Sequence, residues 1–154
     1  MENKTLFSNL IIANVTNGKI LFLKRSETCK LEPRKWCLPG GHIEEYESPD
    51  EAALREACEE VGLDFRNKLN PLKAGMYQNS RAIMYYFCVY IDDPDRYGIV
   101  HLDMAEHQNY AWLAPADAMK KLDFMLDLGD QMQAMFTGTN APVTNSIQTN
   151  VQPQ

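Results

Sequence analysis

Two apolar runs rich in β-branched residues open the chain and have the pattern of paired strands. They cover residues 6–15 and 19–25, with Asn17-Gly18 between them. Asn-Gly between apolar runs is a strong hairpin signal, because both residues tolerate positive φ. The pattern therefore predicts an antiparallel hairpin, followed by a polar and irregular stretch over residues 26–38.

The clearest helix signal lies at residues 48–61. The run Ser-Pro-Asp-Glu at 48–51 combines an N-cap serine, a proline at the first helical position and a glutamate at the third, which forms a capping box. Gly62 can supply a left-handed C-terminal cap. These signals predict a helix from Pro49 to about Val61.

The rest of the chain alternates between strand and helix patterns. Strands are predicted at 72–78, 83–91 and 110–113, a turn at 92–95, and helices from about Pro115 and between 127 and 136. The strand at 83–91 is apolar enough to be central and buried on both faces. The order predicts an α/β fold with a mixed β-sheet between helices, in one domain over residues 1–136. Residues 137–154 are polar and uncharged, and we expect a tail that need not fold alone.

Charge and composition narrow the classes of partner. The formal net charge is −6, so a nucleic acid polymer is not expected to bind without a local basic patch. The basic residues are scattered, and their tightest group is Arg34-Lys35. A small phosphorylated ligand remains compatible, since a bound divalent cation reverses the local field.

Cysteine spacing and the N-terminal sequence favour a cytoplasmic protein. The four cysteines form no C-x-x-C pair, which favours reduced thiols over a zinc site or a disulfide framework. The start of the chain lacks the regions of a signal peptide. No apolar run approaches the roughly 18 residues that span a bilayer, so no membrane association is expected.

The predicted helix at 49–61 has an apolar face and an acidic face. Its apolar positions are predicted to pack against the sheet: Leu54, Ala57, Cys58 and Val61. Three carboxylates converge on the opposite face: Glu56, Glu59 and Glu60. Such a cluster repels itself unless a cation occupies it, and hard oxygen ligands suit Mg²⁺ or Mn²⁺. A solvated glutamate face would have the same pattern, so the helix alone does not decide between the two.

The sequence around this helix resembles the signature of a known enzyme family. Residues 41–63 read Gly-x5-Glu-x7-Arg-Glu-Ala-Cys-Glu-Glu-Val-Gly-Leu, which resembles the Nudix box of the Nudix hydrolases. The run Trp-x-Leu-Pro-Gly-Gly at 36–41 looks like the usual lead-in to that box. Two positions depart from the family pattern. Ala57 stands where a larger aliphatic residue is preferred, and Tyr46 stands where many members carry glycine.

This resemblance implies a Nudix-like α/β/α sandwich that hydrolyses nucleoside diphosphate derivatives with Mg²⁺, for which Mn²⁺ could substitute. The implied metal ligands are Glu56, Glu59, Glu60 and the carbonyl of Gly40. Glu47 and Gly62 have structural roles in the motif, and Glu47 is expected to tie down Arg55.

The resemblance leaves the general base open between a box glutamate, such as Glu59, and the later Glu106. Arg55 completes the catalytic set by bracing Glu59. Glu106 opens the run Glu-His-Gln-Asn-Tyr-Ala-Trp-Leu at 106–113, which resembles a segment of dinucleoside polyphosphate hydrolases. In that run, His107 and Trp112 have an alternative interpretation as structural residues, and for His107 we favour it.

Three residues are predicted to bind substrate: Arg25 through phosphate oxygens, Gly41 in the loop, and Tyr46 through its ring. An exposed charge is the alternative for Arg25, and a surface tyrosine is the favoured alternative for Tyr46.

The resemblance ranks dinucleoside polyphosphates and nucleoside triphosphates first as substrates, with ADP-ribose-like compounds next. The main alternative is a nucleotide-sensing module that keeps the fold without turnover, but such modules usually lose box glutamates, and all are present here. Removal of an RNA cap is a third function, which the acidic net charge disfavours. The sequence is compatible with a homodimer and does not specify the oligomeric state.

Overall fold

The fold is built on a seven-stranded mixed sheet, and a computed structural model describes residues 3–125 and 127–137. The strands are β1 (Thr5–Asn14), β2 (Lys19–Arg25), β3 (Trp36–Cys37), β4 (Gly40–His42), β5 (Leu72–Gln78), β6 (Ala82–Ile91) and β7 (His107–Leu113). The helices are α1 (Pro49–Val61), α2 (Pro115–Lys121) and α3 (Leu128–Thr137), with a short 3-10 helix at Pro94–Arg96. The predicted α/β fold with a mixed sheet flanked by helices is confirmed. The predicted tail lies outside the described residues, apart from Thr137.

Strand β1 organises the sheet. It pairs in parallel with β6 along its whole length, from Thr5 opposite Ala82 to Asn14 opposite Ile91. On its other edge, β4 pairs antiparallel with the first half of β1, and β2 pairs with its end. The sheet order is β3-β2-β1-β6-β5, with β7 paired to β2. β6 therefore lies inside the sheet, as its apolar sequence predicted.

The predicted hairpin between β1 and β2 forms, but it is short. Only two residue pairs connect the strands, Ala13 with Ile20 and Asn14 with Lys19. Gly18 is the turn residue with positive φ, at 72°. β2 leaves β1 after the turn because β7 and β3 pair with it.

Helix α1 begins and ends as predicted. Ser48 and Glu51 form the reciprocal capping box, and Gly62 ends the helix at φ 77° with its N–H donating to Cys58 O. A Cβ at Gly62 would come within 2.8 Å of Ile99 O, so both conformation and space favour glycine there.

The face that α1 buries agrees with the prediction at Leu54, Ala57 and Val61 and differs at two positions. The buried positions are Ala52, Ala53, Leu54, Ala57, Glu60 and Val61. Cys58, expected in the core, is only partly buried, whereas Glu60, expected on the exposed face, is 7% exposed. Three alanines allow the helix backbone to approach the sheet closely, so the buried arc turns toward Glu60.

Short strands and late helices complete the fold. β3 lies inside the stretch that was predicted to be irregular, because two residues are too few to produce an alternating pattern. β7 starts three residues before the predicted strand at Tyr110. Among the described residues, no helix is long and apolar enough to cross a membrane. The four cysteines are free thiols.

Candidate active site

Two adjacent glycines in β4, Gly40 and Gly41, bring this strand into close contact with β1 and α1. A Cβ at Gly40 would lie 2.5 Å from Ser8 O, and a Cβ at Gly41 would lie 2.7 Å from the carboxylate carbon of Glu56. No larger residue fits at either position without a shift of its neighbours. The close approach lets Gly40 N donate a hydrogen bond of 2.8 Å to Glu60 Oε1.

Arg55 connects the loop to the acidic face of α1. Its guanidinium donates to Glu47 at 2.7 and 3.0 Å, to Glu56 at 3.0 Å and to Glu59 at 3.1 Å. It also donates to the carbonyl of His42 at 3.0 Å. The Arg55 hydrogen bond holds the pKa of Glu47 below its usual value. Arg55 therefore orients Glu56 and Glu59, and Glu47 fixes Arg55 in place.

Two glutamates of the helix lie in a poorly solvated environment. Burial raises the pKa of Glu60 well above its usual value, the Gly40 N–H opposes this, and the charges of Glu56 and Glu106 add to it. Burial likewise raises the pKa of Glu56, against the hydrogen bond from Arg55. A divalent cation would neutralise this repulsion, and carboxylate oxygens are the donors that Mg²⁺ prefers. The residues present thus fit a metal ion.

The remaining box glutamate is more open. The Glu59 side chain is 58% exposed and touches Arg55. It lies at the solvent side of the carboxylate group, where a substrate or water can reach it.

The loop that carries Glu106 reaches the same glutamates. Its backbone is held by Ser26 N, which donates to Glu106 O at 2.8 Å. One ligand atom each of Glu60, Glu106 and His107 lie within 4.8 Å of one another. The structure therefore brings this distant part of the chain to the carboxylate helix.

His107 is buried beside this loop. Its Nε2 lies 3.6 Å from Cys37 Sγ, and the side chain is 3% exposed. Burial, with a smaller effect from the Arg25 charge, lowers the pKa of His107 to about 4, so the imidazole is neutral at neutral pH. The sequence favoured a structural role for this residue. Its position next to Glu106 at the start of a strand was the available signal for a place in the site.

The residues predicted to bind substrate occupy different places. Arg25 ends β2 opposite His107, and its Nε donates to Leu31 O at 3.1 Å. Tyr46 is 97% exposed and has φ 66°, which explains why glycine suits this position. A cavity of about 460 Å³ lies on the Arg55 side of α1, lined by Tyr46, Glu47, Glu51, Leu54, Arg55, Arg66 and Asn67.

Comparisons with known proteins agree with the fold and the motif. The family model of the NUDIX domain matches residues 7–134. The bis(5'-nucleosyl)-tetraphosphatase (asymmetrical) of Sus scrofa is 29% identical over 128 residues, covering 77% of this chain and 81% of that protein. A mutT/nudix family protein from Listeria innocua superimposes with a TM-score of 0.73 at 23% identity, covering 97% of this chain and 100% of that one.

A more local similarity is confined to about a third of the chain. The m7GpppN-mRNA hydrolase NUDT17 of Xenopus laevis is 42% identical over 53 residues, which cover 34% of this chain and 18% of that protein. The chain thus spans less than a fifth of that relative.

Proposed function

The chain belongs to the NUDIX family of hydrolases, and on that premise we propose that it is a metal-dependent nucleotide pyrophosphohydrolase. The proposed reaction is Mg²⁺-dependent hydrolysis of a diphosphate linkage in a nucleoside diphosphate derivative, with Mn²⁺ as a substitute. The net charge of −6 supports a small nucleotide rather than a nucleic acid polymer as substrate.

One observation carries this proposal: the buried carboxylate of Glu60 lies against the Gly40 N–H and close to Glu106. Neighbouring negative charges in a poorly solvated place are costly unless a cation balances them. Glu56, Glu59, Glu60 and the Gly40 carbonyl would hold the ion. A bound divalent cation supplies charge neutralisation at the diphosphate and lowers the pKa of a bound water.

The chemistry is attack by water on a phosphorus atom. One new P–O bond forms, the bridging P–O bond breaks, and the leaving phosphate takes the bonding pair. The proton of the water goes to a carboxylate, for which Glu106 and Glu59 are the candidates. Arg55 keeps Glu59 and Glu56 oriented through its hydrogen bonds, so its contribution is to position the acidic groups.

Substrate binding is assigned to residues around this centre. Arg25 binds phosphate oxygens through guanidinium N–H groups other than the Nε–H that donates to Leu31 O. Gly41 gives the phosphates access because a side chain there would meet Glu56. The exposed ring of Tyr46, beside the cavity near Arg55, is available to stack on a base.

Dinucleoside polyphosphates and nucleoside triphosphates are the preferred substrates, with ADP-ribose-like compounds next. The similarity to the Sus scrofa tetraphosphatase, over 77% of the chain, supports this order. The match to the mRNA hydrolase extends over 53 residues only and says little about substrate.

The test is Glu60→Gln, assayed for release of phosphate or pyrophosphate from a panel of these nucleotides with Mg²⁺ and with Mn²⁺. We expect rates to fall more than about 100-fold, because loss of a group that merely supports a metal ligand already costs about 10- to 100-fold. The glutamine keeps an oxygen that can accept from Gly40 N, so the circular dichroism spectrum should not change.

Glu45→Gln is the matched control, since it removes a charge from the exposed part of the same segment and should keep full activity. Full activity in folded Glu60→Gln protein would refute the metal-site assignment. Nucleotide binding by the wild-type protein without any turnover would instead support the sensing module.

A further inference from the structure

His107 adds a nitrogen to a site otherwise made of oxygens. One ligand atom each of Glu60, Glu106 and His107 lie within 4.8 Å of one another. Both Glu60 and His107 are buried, at 7% and 3% exposed. Glu106 is exposed and has room to move. Glu60 belongs to the proposed magnesium centre and Glu106 is a candidate general base beside it, whereas the imidazole has neither role.

The His107 ring has an unusual hydrogen-bond pattern. Among the residues that the structure describes, its buried Nδ1 has no hydrogen-bond partner. Most buried polar atoms have one, and leaving one without a partner costs about 1–3 kcal/mol. Nε2 lies 3.6 Å from Cys37 Sγ. In the tautomer whose Nε2–H donates to that sulfur, Nδ1 carries an unshared pair.

We propose that His107, together with Glu60 and Glu106, forms a mixed nitrogen–oxygen site for a divalent transition-metal ion such as Zn²⁺ or Co²⁺. Imidazole nitrogen suits these ions, whereas sites made only of oxygens suit Mg²⁺. This inference rests on the proposed function, because the mixed site shares Glu60 with the proposed magnesium centre. It predicts that His107 sets which metal the centre prefers.

The distances are compatible with one ion. Nitrogen and oxygen ligands lie about 2.0–2.2 Å from zinc, so ligand atoms around one ion lie at most about 4.4 Å apart. The three ligand atoms lie within 4.8 Å of one another, which is close to that limit, and the exposed Glu106 side chain can adjust on binding.

The test follows the ring nitrogens of the histidines by NMR during a Zn²⁺ titration of the protein labelled with ¹⁵N-histidine. The chain has three histidines, and His42 and His101 serve as internal references. We expect the His107 ring signals to shift on Zn²⁺ binding and not on Mg²⁺ binding. Unchanged His107 signals at saturating Zn²⁺ would overturn the inference, and this measurement needs no variant.

A second measurement compares metal affinities in variants, with the Gly40 amide as the reporter because it donates to Glu60. For His107→Gln we expect Zn²⁺ affinity to fall at least tenfold and Mg²⁺ affinity to change less than threefold. His101→Gln, at an exposed loop position, is the matched control and should change neither. Equal Zn²⁺ affinity in His107→Gln and wild-type protein would also overturn the inference.

Failure here is distinguishable from failure of the proposed function. Hydrolysis with Mg²⁺ that depends on Glu60, combined with an unresponsive His107 ring, would remove the mixed site alone. Undiminished hydrolysis in Glu60→Gln would remove the metal centre itself, whatever the histidine signals show.

Discussion

The substitution Glu47→Gln measures how much the ion pair between Glu47, just before α1, and Arg55, within α1, contributes to stability. Glu47 and Arg55 share two hydrogen bonds of 2.7 and 3.0 Å, and their side chains are only 13% and 16% exposed. Hydrogen bonds to charged groups contribute about 1.5–3 kcal/mol. Arg55 keeps Glu56 and Glu59 as partners, so the larger penalty of an unpaired buried charge does not arise. We expect the free energy of unfolding to fall by about 2 kcal/mol, and Tm by about 4–8 °C.

Asp64→Asn is the matched control. Asp64 and Arg66 form a pair of similar geometry, at 2.9 and 3.0 Å, but their side chains are 40% and 49% exposed. Solvent screens such a pair, and its loss should cost less than about 1 kcal/mol. Urea unfolding of both variants at pH 7, followed by circular dichroism, gives the comparison. Equal losses in the two variants would refute the argument from burial.

The acid side of the stability curve gives an independent check on the same pair. The hydrogen bond from Arg55 lowers the pKa of folded Glu47, whereas the unfolded chain has a value of about 4.3. A lowered pKa contributes stability above the unfolded-state value, and this is lost as the pH falls through the folded-state value. The difference between wild-type and Glu47→Gln protein should therefore be constant from neutral pH to about pH 5 and shrink below it.

Three further substitutions test other parts of the site. Tyr46→Gly should raise the free energy of unfolding by about 0.5–1 kcal/mol. The left-handed conformation costs a non-glycine residue about 1–2 kcal/mol, and the greater flexibility of glycine in the unfolded chain offsets about 0.5–1 kcal/mol of that gain. A lower stability of the variant would show that the exposed ring packs against the protein. Gly41→Ala places a Cβ 2.7 Å from the Glu56 carboxylate carbon, so the Glu56 carboxylate must move. Turnover should therefore fall more than tenfold while the circular dichroism spectrum stays unchanged. Wild-type kinetics in this variant would contradict the expectation. Glu106→Gln should lose more than tenfold in rate, since a general base contributes about 10²–10⁴-fold; a smaller loss would put the base within the box.

Local signals were the most accurate part of the sequence analysis. The bounds of α1 follow from Ser48, whose side chain caps the first turn, and from Gly62, whose left-handed backbone ends the last turn. Both interactions are local, so the sequence shows them directly. The periodicity predicted that α1 has an apolar face, but it placed the centre of that face slightly wrong. The reason is that alanines, which the pattern weighs little, can be buried as deeply as leucine. Glu60 was consequently placed on the face opposite the core, although it is buried and accepts a hydrogen bond from Gly40 N.

The sequence pattern did not predict which strands pair when they are far apart in the chain. The Asn-Gly turn indicated a partner for β1 in β2, yet most of β1 pairs with β6 and β4. Alternation of apolar residues shows that a strand has a buried face and does not name its neighbour. The contact of His107 with Cys37 depends on such a pairing, since β3 and β7 both lie against β2.

For the site itself, the motif predicted more than the periodicity did. The resemblance assigned Glu47 to Arg55, and the structure shows that contact. It also singled out Glu106, which lies near Glu60. The position of His107 next to Glu106 indicated a place near the site, but not a role, because a buried histidine in a strand has the same sequence pattern whether it packs or binds.

The pairing of β1 with β6 has a consequence for the order of folding. β1 is synthesised before its parallel partner, which follows more than seventy residues later, with Thr5 opposite Ala82. Contacts so distant in sequence form slowly, because loop closure must precede them. The edge of β1 that pairs with β6 therefore stays unpaired during synthesis until β6 emerges, and a chain stalled in that interval is prone to aggregate. Since β4 carries Gly40 and pairs with β1, and Glu106 follows β6 in the chain, the candidate active site is complete only after that late step.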